Sequence, residues 1–138
     1  MFVGEYTHNL DDKGRLAIPY RMRKQLEDGA VVTRGVDGCL TLYTRAEWEN
    51  LAGRIAALPL SDAKARRFAR FFLAGAAELE FDKQGRILLP GYLRTYADLG
   101  SEVVVAGVFN RVELWSTARW QTQASAQQPE SDLEGLAI

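Results

Sequence analysis

The residue types that build most catalytic and metal sites are nearly missing. In 138 residues there is one cysteine, Cys39, and one histidine, His8. A lone thiol excludes an intrachain disulfide and a cysteine metal set, and it suits a reducing compartment. A lone histidine with no partner at ligand spacing reads as a strand residue, and no metal is expected. There is no Walker-type loop, no G-x-S-x-G elbow and no dinucleotide fingerprint, so an enzyme has no chemical group to start from and no cofactor or small-molecule substrate is expected. No eighteen-residue apolar run is present, so no membrane helix is expected. The opening Met1-Phe2-Val3-Gly4-Glu5 lacks the basic region and apolar stretch of a secretory signal, which points to the cytoplasm. An excess of charge of one sign is lacking as well, since the formal net charge is −1. Taken whole, that argues against nucleic acid as a partner. Its distribution argues otherwise. Glu130, Asp132 and Glu134 lie among the last twelve residues, and without them residues 1–126 stand at +2. Residues 11–24 hold Lys13, Arg15, Arg21, Arg23 and Lys24 against Asp11 and Asp12, a local +3. The local field is what steers an anion.

What is present in abundance is apolar material, 47% of residues with three Trp, five Tyr and six Phe, enough for a packed interior. One segment occurs twice. Asp11-Asp12-Lys13-Gly14-Arg15-Leu16-Ala17-Ile18-Pro19 returns 71 positions later as Asp82-Lys83-Gln84-Gly85-Arg86-Ile87-Leu88-Leu89-Pro90. The Asp, Gly, Arg and Pro coincide, and Arg23 falls on Arg94. An internal repeat in a chain this short predicts two small units sharing a core.

Each unit reads in the same order. Residues 2–10 alternate as a strand, with Phe2, Tyr6 and Leu10 on the apolar parity. Asp11 to Gly14 is turn chemistry, because Asp bonds the backbone two residues on and Gly accepts positive φ. A short strand from Arg15 to Ile18 follows, ended by Pro19, then a helix of about two turns with Met22 and Leu26 inward. Ala30–Thr33 and Cys39–Tyr43 form a hairpin around Gly35-Val36-Asp37-Gly38. Thr44 to Glu47 is a capping box opening a helix with Trp48, Leu51, Ile55 and Leu58 on one stripe. A second helix, opened by Leu60-Ser61-Asp62, aligns Phe68 and Phe72 and turns Arg66, Arg67 and Arg70 outward. The pattern then restarts, with a second hairpin over 103–115 and a helix capped by Ser116. The expected division is 1–58 for the first unit, 59–76 for the connecting helix and 77–124 for the second unit, with a disordered acidic tail over 125–138. Four short strands cannot bury two faces alone, whereas two such units can cover each other. The expected fold is mainly β with peripheral helices.

The loop presents an arginine directly after a tight turn. Arginine reads guanine edges bidentately and grips phosphate, and a rigid turn fixes where it points. Asp11 and Asp82 are read as loop-shaping, together with Gly14 and Gly85. Arg15 and Arg86 have two open readings on spacing alone, a partner-facing group or an ion pair that holds the turn. Arg21, Arg23, Lys24 and Arg94 flank the short helices as phosphate contacts or as a solvated face.

The paired D-x-x-x-R segments, each running into R-[LI]-x-[IL]-P, resemble the bacterial MraZ family. The likeness runs from Met-Phe-x-Gly-Glu-Tyr to the second tryptophan helix near Ala124. A single copy of the motif is shared with the wider AbrB-like swapped-hairpin group. The resemblance implies two AbrB-like modules interlocked in one chain as a pseudo-twofold, β-barrel-like core, and a homo-oligomeric ring. It also implies a DNA-binding transcriptional regulator. Such a regulator represses its own operon in the division and cell-wall cluster, binds direct repeats in double-stranded DNA and associates with the nucleoid. The motif carries over to Asp11 and Arg15 and to Asp82 and Arg86. Lys13, Arg21, Arg23 and Lys83 are DNA-facing candidates by position only. A protein-interaction module, with the arginines facing an acidic partner, is the alternative.

Overall fold

The computed structural model describes residues 1–138. The first unit comprises β1 (Phe2–Asn9), β2 (Arg15–Ala17), α1 (Tyr20–Gln25), β3 (Ala30–Arg34), β4 (Leu40–Thr44) and α2 (Arg45–Ala56). Helix α3 (Ala63–Leu73) leads to the second unit, with β5 (Ala77–Leu79), β6 (Arg86–Leu88), α4 (Gly91–Tyr96), β7 (Glu102–Phe109), β8 (Val112–Ser116) and α5 (Thr117–Ala126). Beyond the expected end near Ala124, α5 continues to Ala126, and a one-turn helix α6 (Pro129–Leu133) follows with every residue exposed.

Local chemistry sets these boundaries. Pro19 and Pro90, with φ of −52° and −56°, stand at the start of α1 and α4, where a missing N–H costs nothing. Thr44 Oγ1 accepts from Glu47 N at 3.2 Å, and Ser116 Oγ accepts from Arg119 N at 3.2 Å, so α2 and α5 have equivalent caps. Arg119, standing where the first unit has Glu47, donates instead to Gly38 O at 2.9 Å and Tyr96 O at 3.0 Å, tying α5 to the first hairpin and to α4.

Six strands form one antiparallel sheet in the order β1-β7-β8-β4-β3-β5, and β2 pairs with β6 in a separate ribbon. The order reads the same from either end once the units are exchanged. β1 lies along β7 of the other unit through eight residue pairs, as β5 lies along β3. Repeat-equivalent residues face each other twice, Thr41 opposite Glu113 at the sheet centre and Leu16 opposite Ile87 in the ribbon. A pseudo-twofold axis passes through both points, so the units are interlocked by exchanged strands.

Three layers result. The inner face of the sheet (Ala30, Val32, Leu40, Leu42, Val103, Val105, Val112 and Leu114) packs on the ribbon and short helices through Leu16, Ile18, Met22, Ile87, Leu89 and Leu93, all buried. The outer face carries α2 and α3 over Tyr43, Ile55 and Phe72, and α5 over Val104 and Trp115. Here the barrel-like expectation is corrected, because the sheet stays open with β1 and β5 as its two edges. Closure is unnecessary, because the β2–β6 ribbon with α1 and α4 already covers the inner face.

Two burial expectations also change. Tyr6 is exposed, its ring lying over Gly4 on the edge strand β1, whereas Phe2 of the same strand is buried. Leu58 is exposed because α2 ends at Ala56, before the stripe reaches it. No helix is long and apolar enough to cross a membrane.

Candidate nucleic-acid interface

Both copies of the repeated turn are built the same way. Asp11 Oδ1 accepts from the amides of Lys13 at 3.0 Å and Arg15 at 2.9 Å, and its Oδ2 accepts from Arg15 Nε at 2.6 Å. Asp82 Oδ1 accepts from Gln84 N and Arg86 N, both at 2.9 Å, and its Oδ2 from Arg86 Nε at 2.9 Å. The turn closes through Gly14 N to Asp11 O and Gly85 N to Asp82 O, both 3.0 Å. Gly14 and Gly85 have φ of +86° and +74°, which side chains with a Cβ rarely adopt. The amide of Arg15, then its guanidinium and the amide of Lys13, hold the Asp11 carboxyl below the usual carboxylate range against a smaller opposing effect of burial, and Asp82 is lowered by the equivalent donors. Each acid accepts three hydrogen bonds inside its own loop, which offsets part of the charge it would present to an incoming anion.

In both loops the arginine forms the ion pair that holds the turn. Arg15 and Arg86 use Nε to fix the loop. The Nη groups of Arg15 make no hydrogen bond within the chain, and Nη1 of Arg86 only approaches Asp11 Oδ2 at 3.7 Å. Anchoring by one nitrogen leaves the remaining fork available to an acceptor outside.

The pairing of β2 with β6 brings the loops together. Arg15 stands opposite Leu88 and Ala17 opposite Arg86. Leu89 N donates to Gly14 O at 2.8 Å, and Ile18 N to Gly85 O at 3.4 Å, so each turn is bonded to the other unit. Asp11 Oδ2 thus sits between Arg15 and Arg86. The two motifs, far apart in the chain, form one composite surface rather than two separate heads.

Lys13 and Lys83 are exposed at the loop tips and Arg21 is exposed on α1, each free to project. Arg23 is half-buried, with its guanidinium 5.2 Å from the centre of the Tyr20 ring and packed against Gly85. Its repeat equivalent Arg94 lies over Gly14 and donates from Nε to Leu89 O at 3.0 Å. On the sequence alone Arg94 stands among the flanking charges. The available signal was its coincidence with Arg23 in the repeat. Arg66, Arg67 and Arg70 are exposed on α3, in the other helical layer.

Cys39 lines a cavity of about 400 Å³ between the sheet, α2 and α3. Burial, with the nearby Glu113 and Asp37, pushes its thiol up to about 12, so it is no nucleophile at neutral pH.

Two consecutive matches to one family model, described as "MraZ protein, putative antitoxin-like", cover residues 1–71 and 72–135, one to each copy of the turn. The chain belongs to the MraZ family. Among its MraZ relatives, a protein of Halothermothrix orenii is 53% identical over 120 residues, covering 87% of this chain and 84% of the relative. One of Natranaerobius thermophilus is 51% identical over 137 residues, covering 99% and 94%. One of Moorella thermoacetica is 54% identical over 121 residues, covering 88% and 85%. All three bear the name transcriptional regulator MraZ.

Proposed function

We propose that this chain is a transcriptional regulator that binds double-stranded DNA sequence-specifically through the paired arginine loops. It represses the operon that encodes it, in the division and cell-wall gene cluster, and acts in the cytoplasm on the nucleoid. The observation that carries the reading is the back-to-back pairing of the two turns. It brings Arg15 and Arg86 to one ribbon, both against Asp11, with Lys13 and Lys83 exposed at the two loop tips and both turn acids bonded within their loops. The names of the relatives support the regulatory role. In this reading Arg15 and Arg86 reach base edges or phosphates, and Lys13, Lys83, Arg21 and Arg23 supply positive charge around them.

With a net charge of −1, one chain holds DNA weakly. A ring-like homo-oligomer on direct repeats answers this, because each added contact becomes intramolecular. A duplex with four repeats then binds far more tightly than one with a single repeat, and equal affinities would remove the ring from the proposal.

The deciding experiment is fluorescence anisotropy with a duplex of the native upstream region and a scrambled control, at two salt concentrations. The expected result is preference for the native duplex, weakening with salt, and loss of binding in a folded Arg15→Ala/Arg86→Ala variant. Equal binding by the variant, or no preference in the wild type, would turn the arginines toward an acidic protein instead.

A further inference from the structure

The arginines of the two short helices occupy equivalent and unusual places. Arg94, on α4 of the second unit, lies over Gly14 in the turn of the first. A Cβ added to Gly14 would come within 2.7 Å of Arg94 Nε and 2.8 Å of its Cζ. Arg23, at the end of the first unit's α1, lies over Gly85 in the turn of the second. A Cβ there would collide with Arg23 Nη1 and stand 2.6 Å from its Cζ. Both arginines are half-buried, unlike Lys13, Lys83 and Arg21. The glycines therefore serve twice, by adopting positive φ and by leaving room for a guanidinium from the opposite unit.

We infer that Arg94 and Arg23 are positioning residues, each bracing the DNA-reading loop of the other unit rather than gripping DNA itself. This rests on the reading of the loops as the DNA-facing element, and it reassigns Arg23 from the contact set. Two hydrogen bonds and one packing contact close the Arg94 brace. Gly14 O accepts from Leu89 N at 2.8 Å, Leu89 O accepts from Arg94 Nε at 3.0 Å, and the guanidinium covers Gly14. The planar group matters here, because it fits flat on a glycine while its Nε donates in the plane. The Arg23 brace is looser. The corresponding bond, Ile18 N to Gly85 O, is 3.4 Å, and the Arg23 guanidinium makes no hydrogen bond within the chain but lies against the Tyr20 ring at 5.2 Å. The first loop is thus held more firmly than the second.

The test is amide hydrogen exchange on the DNA-free full chain, reading the four amides that the loop aspartates accept from. Arg94→Ala should speed exchange at Lys13 and Arg15 by about tenfold and leave Gln84 and Arg86 unchanged. Arg23→Ala should do the reverse, by a smaller factor. Arg94→Lys and Arg23→Lys keep the charge, so they are the variants to use if alanine unfolds the chain, and they should show the same crossed pattern. A change confined to each arginine's own unit, or none, would overturn the inference.

Binding gives a second readout. A brace that is lost lowers the ratio of native to scrambled affinity and leaves the slope of log K against log salt unaltered. A phosphate contact that is lost weakens both duplexes alike and lowers that slope by about one, and this result would overturn the positioning role. If instead the wild type prefers no duplex, the function above fails, while the exchange pattern still decides the brace.

Discussion

Replacing Gly14 with alanine tests the turn directly. Its φ of +86° lies where an L side chain is strained, at a cost of roughly 1–3 kcal/mol. The added methyl would also stand 3.0 Å from Leu89 O and 2.7 Å from Arg94 Nε. These two contacts differ in kind. The guanidinium ends a flexible side chain and can swing aside. Leu89 O belongs to a backbone pinned by the β2–β6 pairing and cannot. Against this, alanine restricts the unfolded chain and returns roughly 0.4–1 kcal/mol. The net expectation is a loss of about 2 kcal/mol, or roughly 6–10 °C in Tm for a chain of this length. Gly53 provides the internal control. It lies exposed within α2 with nothing within 4 Å of an added Cβ, so Gly53→Ala should stabilise by about 0.5–1 kcal/mol through helix propensity. Urea unfolding followed by tryptophan fluorescence, at one protein concentration and with equal m-values, measures both. If Gly14→Ala is as stable as the wild type, the positive-φ turn and the fixed Leu89 carbonyl are not what shape the loop.

Three further outcomes follow from the same geometry. Thr33 is buried and donates from Oγ1 to Phe72 O at 2.6 Å, one of the last carbonyls of α3, so Thr33→Val should cost about 1–3 kcal/mol in the same unfolding assay by orphaning that carbonyl. The lowered Asp11 and Asp82 carboxyls favour the folded turn while ionised. Their contribution is complete at neutral pH and is lost as the pH falls below the ordinary aspartate value and through their depressed ones, so the amide resonances of Arg15 and Arg86 should titrate with midpoints below that of an ordinary aspartate. Cys39, raised to about 12 by burial, should resist a thiol reagent at pH 8 in the native protein and react fully in urea.

Much of the fold was legible because the repeat is legible. The Asp-to-Gly turns, the prolines that open α1 and α4, and the Thr44 and Ser116 caps are local events written in a few adjacent residues. The pairing of β2 with β6 was not legible. Each strand has only three residues, and the partners lie 71 positions apart, so no periodicity inside one segment points to the other. The openness of the sheet depends on the same long-range fact, because only when the ribbon is formed does the inner face acquire its cover. At the interface, sequence distinguished charged residues from apolar ones but not braces from free cations. Arg23 and Arg21 look alike two positions apart on a short helix, and only the glycine of the opposite unit sets Arg23 apart.

The pseudo-twofold has a consequence for direction. Two identical loops related by such an axis would look the same to a duplex run either way, which suits an inverted repeat. Here the axis is broken at the tips, with Asp12-Lys13 on one side and Lys83-Gln84 on the other. Arg86 reaches toward Asp11 across the axis, while Arg15 has no such contact with Asp82. Fusing both units into one chain let their tips diverge, as the two copies in a homodimer never can. The resulting surface has a head and a tail. Placed on DNA as proposed above, it would have a polarity, and copies laid side by side in one orientation would meet a site that repeats in the same sense.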